Sequence, residues 1–369
     1  MVARILVSHG SFLRLPMNAF RGFSHFDLIE FKNTDIKTIE SSAFNSVNTT
    51  SLLWDNCKIQ TIETEAFFNF TLNTRVLNFS SLSLEYIKTG AFSGLVGSIS
   101  KGIFSKNHLK RLHNSTFIGL GTMTELDLSF NSISKIEPGA FSLLPRLRTL
   151  TLKSNQLSRL MLNNMLFLEH LDLSYNFLGT FELILPELRY LNLHGNRLAG
   201  VGAVIPKLKT LNFLDLSSNY IKKLNPEELI DLKNLSHLNL NSNDLIAFDA
   251  DSFLKFLPDL TAIDLSKNNF PCTDIRRILQ PLLDKHLKVN GHQKCLVNKL
   301  VENLKTGSGH RKKLRNRHVS EVIFVTTTAL VCFVLFFKGV VFFHDLFFKR
   351  NRFADNSFEE LVLEDSHDV

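Results

Sequence analysis

One spacing of apolar residues recurs along most of this chain, and it limits the fold to a stack of short, similar units. The pattern is L-x-x-L-x-L-x-x-N-x-L, and its clearest copies begin at Met123, Leu147, Leu168 and Leu235. Alignment on these copies gives twelve repeat starts, mostly 23 to 25 residues apart: Val2, Phe26, Thr49, Thr74, Ile99, Met123, Leu147, Leu168, Leu188, Leu211, Leu235 and Leu260. A period of this length predicts a solenoid.

Each repeat is expected to supply one short strand. Successive strand residues point to opposite sides, so the apolar fourth and sixth positions enter a core that no single repeat can close. Stacking closes it and lines the strands into a parallel sheet along a concave face. We therefore predict an α/β leucine-rich-repeat solenoid. The segments that follow the repeats, described below, add a C-terminal cap and one transmembrane helix to this prediction.

Asparagine recurs at the ninth position and is predicted to pair backbone groups where each strand turns away. These residues are Asn107, Asn131, Asn155, Asn176, Asn196, Asn219, Asn243 and Asn268. Four early repeats carry Gly10, Thr34, Cys57 and Leu82 instead. We expect Cys57 to be a buried member of this ladder. Leu82 cannot form the bonds, so the fourth repeat should be the least regular.

The chain contains 33 Phe, and seven of them lie eighteen residues after a repeat start. They are Phe20, Phe44, Phe67, Phe92, Phe117, Phe141 and Phe253. Their constant position predicts a stack of rings under the convex side.

The last strand is followed by a segment without the repeat. Cys272 opens it, an amphipathic stretch runs through Ile275 to Leu287, and Cys295 closes it. This segment resembles the cysteine-bearing C-terminal flank of extracellular leucine-rich-repeat proteins. The whole chain resembles cell-surface members such as Toll-like receptors and insect adhesion receptors, without their signalling domain. The resemblance implies a disulfide between Cys272 and Cys295, against the alternative of two free thiols.

Residues 322–343 carry no charge apart from Lys338, and as a helix they measure about 33 Å, which is enough to span a bilayer. We divide the chain into repeats (1–268), cap (269–304), basic linker (305–321), transmembrane helix (322–343) and short tail (344–369). Because Val2 already opens a repeat, we also expect a signal peptide and an N-terminal cap upstream.

The orientation rests on opposing signals. Basic residues of the linker favour repeats in the cytosol. Five N-x-S/T glycosylation acceptors and the cysteine pair favour repeats outside the cell, at the plasma membrane. The acceptors are Asn48, Asn69, Asn78, Asn114 and Asn234. The formal charge of +7 is concentrated in the linker, so we expect no nucleic-acid surface.

The sequence contains no catalytic motif and no metal spacing, so we expect neither an enzyme nor a cofactor. Exposed aromatic side chains on the strands are typical of protein-binding surfaces. The candidate ligand-binding residues are Phe130, His170, Tyr175, Tyr190, His194, Phe213 and His237. These features favour a single-pass surface receptor or adhesion protein that binds a protein or glycoprotein ligand. Two alternatives remain open: a membrane-anchored scaffold facing the cytosol, and a co-receptor or decoy that depends on a membrane partner.

Overall fold

The fold is that of a computed structural model, which describes residues 4–23, 25–162, 164–201 and 205–290. All of these residues belong to one compact unit, Met1–Lys299. The predicted linker, transmembrane segment and tail, together with Cys295, lie outside the described residues.

Parallel strands are the main regular secondary structure of the described chain. In chain order they are β1 Arg4–Leu15, β2 His25–Ile39, β3 Asn48–Asp55, β4 Lys58–Ile62, β5 Phe70–Leu72, β6 Val76–Asn78, β7 Tyr86–Ile87, β8 Leu95–Val96, β9 Lys101–Ile103, β10 Arg111–Leu112, β11 Glu125–Asp127, β12 Lys135–Ile136, β13 Thr149–Thr151, β14 Arg159–Leu162, β15 His170–Asp172, β16 Thr180–Leu183, β17 Tyr190–Asn192, β18 Phe213–Asp215, β19 His237–Asn239, β20 Ala262–Asp264 and β21 Lys288–Asn290. Two α-helices, α1 Ala250–Phe256 and α2 Ile275–Asp284, and two 3-10 turns, Ile205–Lys207 and Pro226–Leu229, complete the set.

The predicted parallel solenoid sheet is confirmed, but the class is more β than α/β. Ten strands form one sheet in the order β21-β20-β19-β18-β17-β15-β13-β11-β9-β6. Seven strands of the first repeats form a second sheet, in which β2 pairs with β1, β3 and β4. Of the two α-helices in the described residues, α1 lies in the repeat that begins at Leu235 and α2 follows the last repeat, so turns and short strands return the chain elsewhere.

The eighth position of every repeat adopts a left-handed backbone, with φ between +48° and +67°. The residues are His9, Asn33, Asn56, Ser81, Lys106, Phe130, Ser154, Tyr175, Gly195, Ser218, Ser242 and Lys267. Such a conformation is uncommon for residues other than glycine. Its recurrence in all twelve repeats, including those without the ninth-position Asn, places the turn at the same point of every unit.

The predicted asparagine ladder is confirmed in the structure. In the repeat from Leu147, Asn155 Nδ2 donates to the carbonyls of Leu152 and Leu128, both at 3.0 Å. Its Oδ1 accepts from Ile133 N at 2.9 Å. Two of these three partners belong to the preceding repeat, so the ladder satisfies each turn and joins neighbouring units with the same side chain. Cys57 is a buried member, with its Sγ 3.0 Å from Thr34 Oγ1.

The predicted irregularity at the fourth repeat appears as a break in the sheet. Strand β3 pairs with β2 and β5, whereas β6 pairs with β9, and no pairing joins β3 to β6. An Asn at position 82 would donate to the carbonyl of the preceding repeat, which Leu82 cannot do. The next repeat satisfies the backbone N–H groups around Leu82, because Asn107 Oδ1 accepts from Leu82 N at 3.0 Å and from Leu84 N at 2.9 Å.

Two columns of aromatic rings fill the N-terminal half of the core. The predicted column stacks Phe20, Phe44, Phe67 and Phe92 with centroids 5.1 to 5.5 Å apart. The sixth strand position supplies a second column that the sequence analysis missed: Phe31, Trp54, Phe79 and Phe104. Phe104 also contacts Phe117, which stacks on Phe141 at 6.1 Å.

An amphipathic helix, α2, follows the last repeat, and its Ile278 and Leu282 are buried. Strand β21 adds a final strand beside β20. The cap predicted over residues 269–304 extends beyond the described residues and stays a prediction. Cys272 does not carry a free thiol. Its predicted partner Cys295 lies outside the described residues, so their pairing stays a prediction.

We expect Phe117→Ala to lower the free energy of unfolding by about 3 to 5 kcal/mol, because it empties a fully buried site between the rings of Phe104 and Phe141. Urea denaturation of the full chain, followed by circular dichroism, measures the loss. The matched control is Phe167→Ala, an exposed ring that should change stability by less than about 0.5 kcal/mol. Equal effects of the two variants would contradict the stacking role.

Asn155→Ala should cost about 1 to 3 kcal/mol, because it leaves buried backbone groups of two repeats without partners. Hydrogen exchange should show faster exchange at the Ile133 amide, whose acceptor is removed. Gln156→Ala, at the exposed neighbouring position, is the control. Unchanged protection of Ile133 in Asn155→Ala would count against the ladder.

Candidate functional site

The solvent-facing side of the ten-stranded sheet, which we call the concave face, presents three columns of side chains. The columns hold the third, fifth and seventh positions of successive repeats. Pairing is in register throughout, so Tyr190 lies beside His170 on one side and Phe213 on the other. Parallel strands lie about 4.8 Å apart, which sets the spacing within every column.

Four predicted site residues form one continuous aromatic column at the third position. His170 and Tyr190 have ring centroids 5.9 Å apart, Tyr190 and Phe213 4.5 Å, and Phe213 and His237 6.1 Å. The rings of Tyr190 and Phe213 are nearly parallel, with an angle of 9° between their planes. Their mutual stacking leaves both rings half-buried, and the two histidines at the ends are exposed.

The other three predicted residues form a second group beside this column. Lys153 places its Nζ 6.0 Å from the ring centroid of Phe130 and 5.6 Å from that of Tyr175. Tyr175 meets His194 edge to face at 4.7 Å. Both Phe130 and Tyr175 are about half exposed. The sequence analysis missed Lys153. Its only signal in the sequence was its place at the seventh position of one repeat, because the repeats before and after it carry Phe130 and Tyr175 at the eighth position.

Gly195 makes room for this second group. It occupies the left-handed eighth position, with φ +67°. A Cβ at Gly195 would lie 3.1 Å from the ring of Tyr175. Glycine therefore allows the ring of Tyr175 to lie against the next repeat.

From Asp172 onward the fifth-position column alternates Asp and Asn, and these side chains cap the ends of the strands. Asp172 Oδ1 accepts from Ser174 N at 2.8 Å, and Asp215 Oδ1 accepts from Ser217 N at the same distance. Asn192 makes the equivalent bond with His194 N at 3.0 Å. The repeated Asp residues are thus structural, and Asn fills the same role without the charge.

Burial raises the pKa of Tyr190 above its ordinary value, and the carboxylates of Asp172 and Asp215 raise it further. A hydrogen bond involving Asn192 offsets part of this effect. The phenol therefore remains protonated at neutral pH and is available as a hydrogen-bond donor.

Ser217, His194 and Asp215 come together, but not in the order that nucleophilic catalysis needs. Ser217 Oγ donates to Asp215 Oδ1 and lies 2.7 Å from His194 Nδ1. The serine is buried and sits between the other two side chains. A catalytic triad instead places the histidine between an accessible nucleophile and the acid. The arrangement orders the concave face and gives no activated nucleophile.

A shallow depression of about 240 Å³ continues the aromatic column toward the C-terminal end. It exists because Ala262, between His237 and Lys288 in the third-position column, has the smallest side chain there. Asn239, Asp264 and Asn290 also line it. The sequence analysis did not identify this feature.

The five N-x-S/T asparagines differ in their surroundings. Asn78 and Asn114 are exposed, and each accepts a backbone N–H through Oδ1. Asn69 and Asn234 are exposed but donate through Nδ2, the atom that carries a glycan. Asn48 is half-buried and accepts from Asn73 at 2.7 Å. Asn78 lies in the fifth-position column at the N-terminal end of the ten-stranded sheet.

Within the described part of the chain, no helix is long and apolar enough to cross a membrane. The predicted transmembrane segment 322–343 falls outside that part, so it stays a prediction.

Comparison with known proteins gives a consistent family. A leucine-rich-repeat model matches residues 104–157 and 186–245, and a model of the BspA type leucine-rich-repeat region matches residues 7–118. Tsukushi from Gallus gallus is 32% identical over 212 residues, which cover 53% of this chain and 55% of that protein. Toll-like receptor 9 from Mus musculus is 30% identical over 234 residues, 60% of this chain and 21% of that protein. The chain therefore spans about half or less of the length of these two relatives.

Among solved structures, an internalin from Listeria monocytogenes aligns with 19% identity and a TM-score of 0.49, over 73% of this chain and 80% of that one. The family matches fall on the residues that form the stacked strands and the asparagine ladder. The chain belongs to the leucine-rich-repeat family.

Proposed function

We propose that this protein is a single-pass cell-surface receptor or adhesion protein that binds a protein or glycoprotein ligand on its concave face. The observation that carries the proposal is the aromatic column of His170, Tyr190, Phe213 and His237. Aromatic side chains dominate the energetics of protein interfaces because they bury large areas with few rotatable bonds. Here mutual stacking already orders the two central rings, so binding costs little further side-chain entropy.

The second group, Phe130, Lys153, Tyr175 and His194, extends the surface toward the preceding repeats. The rings of Phe130 and Tyr175 are exposed although they lie beside a well-packed core. None of these side chains is needed to close the repeats, because the fourth and sixth positions do that. Side chains free of a packing role are the ones that can be used for recognition.

Similar proteins support a binding role. One of the relatives is named a receptor, Toll-like receptor 9. A cell-surface location also agrees with the five N-x-S/T acceptors and with a cap whose Cys272 has no free thiol. Residues 322–343 would anchor the chain in the bilayer, with the repeats outside.

The surface location is tested by the mobility of the full-length protein before and after glycosidase treatment. We expect a downward shift, to which Asn78 and Asn114 contribute most, because both are exposed and their Nδ2 atoms are not needed for the side-chain ladders. Asn78→Gln and Asn114→Gln should each reduce the mobility shift by the mass of one glycan. Asn48→Gln, at a half-buried site, should leave the shift unchanged. A wild-type protein that does not shift would favour the scaffold that faces the cytosol.

The binding surface is tested with an array of purified secreted and cell-surface ectodomains, probed with the full chain in detergent. For an ectodomain that binds, Tyr190→Ala and Phe213→Ala should each weaken the affinity by about 30-fold, which corresponds to about 2 kcal/mol for an interface hot spot. Tyr220→Ala is the matched control, because Tyr220 is exposed but follows the ninth-position Asn219 outside the three columns. Equal affinity of all three variants would rule out the concave face as the binding surface.

A further inference from the structure

We propose that the occupant of the concave face is a basic protein segment whose positive side chains contact Asp172, Asp215 and Asp264. This inference rests on the proposed function, since it names the chemistry of the ligand for the same surface. It is carried by the charge of the three columns and by the spacing of the carboxylates.

The middle of the concave face carries only negative formal charge. In the five repeats that begin at Leu168, Leu188, Leu211, Leu235 and Leu260, the third, fifth and seventh positions contain three Asp and no Lys or Arg. Lys153 in the preceding repeat and Lys288 in the following strand mark its two ends. None of the three carboxylates forms an ion pair with another described residue.

The carboxylates recur at every second strand. Register places Asn192 between Asp172 and Asp215, and Asn239 between Asp215 and Asp264. Strands about 4.8 Å apart therefore separate neighbouring carboxylates by about 10 Å, and the outer two by about 19 Å. A ligand that matches this surface presents positive groups about 10 Å apart along one side.

The aromatic column stands beside the carboxylates and completes the site. Tyr190 lies between Asp172 and Asp215, whose charges act on its phenol. Aromatic rings next to carboxylates suit the aliphatic stem and guanidinium of arginine, because the stem packs on rings and the head forms charge-assisted hydrogen bonds. A carboxylate-rich ligand would meet repulsion at all three Asp positions.

The fifth position allows charge to be removed without loss of the strand cap. Asn192 and Asn239 already accept from the backbone N–H two residues later, each at 3.0 Å, as the three Asp residues do. Asp172→Asn and Asp215→Asn therefore keep the strand cap, although Asp215→Asn gives up the bond that Asn239 Nδ2 donates to Asp215 Oδ2 at 3.0 Å. Asp127→Asn is the matched control, because Asp127 caps Ser129 N in the same way but lies two repeats before Asp172.

The probe is a labelled heptapeptide, Arg-Pro-Pro-Arg-Pro-Pro-Arg, titrated with the full chain in detergent and followed by fluorescence anisotropy. Polyproline II geometry places its three arginines on one side, about 9.3 Å apart. Two control peptides replace Arg by Glu or place the three arginines together in the centre. We expect the spaced arginine peptide to bind most tightly, and added NaCl to weaken it.

The double variant Asp172→Asn/Asp215→Asn should bind the spaced peptide about tenfold more weakly than the wild type, because two charge-assisted contacts lose their charge. Asp127→Asn should stay within about twofold. No binding of the spaced peptide, preference for the glutamate peptide, or equal binding by the double variant would overturn the inference. Equal binding of the clustered arginine peptide would overturn the spacing. If Tyr190→Ala still loses its ectodomain ligand in those cases, the proposed function stands without this inference.

Discussion

The asparagine ladder is the interaction on which the rest of the structure depends. Each side chain satisfies backbone groups of its own turn and of the preceding one, as Asn155 does with Leu152, Leu128 and Ile133. A turn in the middle of the stack is therefore complete only when the next repeat is in place. This dependence makes neighbouring repeats cooperative, in addition to the apolar area that stacking buries. The repeat in which Leu82 replaces this asparagine is also the one where pairing between β3 and β6 is absent, so that the two sheets separate there.

The ladder has a second consequence, because it holds every strand in the same register. In-register strands turn a position within the repeat into a column on the surface. His170, Tyr190, Phe213 and His237 are more than sixty residues apart at their extremes, yet they form one stack. The same rule aligns Asp172, Asp215 and Asp264 at every second strand, so the chemistry of the concave face follows from which residues occupy three positions of the period.

The fifth position shows how such a surface can vary while the fold is kept. Asp and Asn both cap the strand end, so their choice changes the charge of the concave face while the cap is kept. The eighth position is similar, since a left-handed residue is required but its side chain faces solvent. Phe130, Tyr175 and Gly195 all occupy it, and together they decide where the second aromatic group forms. A common fold can thus carry different binding surfaces.

The repeat starts, the inward positions, the ladder, the Phe20 to Phe92 column and the irregular fourth repeat were determined by the sequence alone. All of these depend on residues that recur with the period, and a period can be read without coordinates. Tertiary structure decided the position of Lys153 between two rings, the depression at Ala262 and the buried place of Ser217 between His194 and Asp215. Each of these features depends on contacts between side chains of different repeats across the sheet. The residue pattern within one repeat does not specify those contacts.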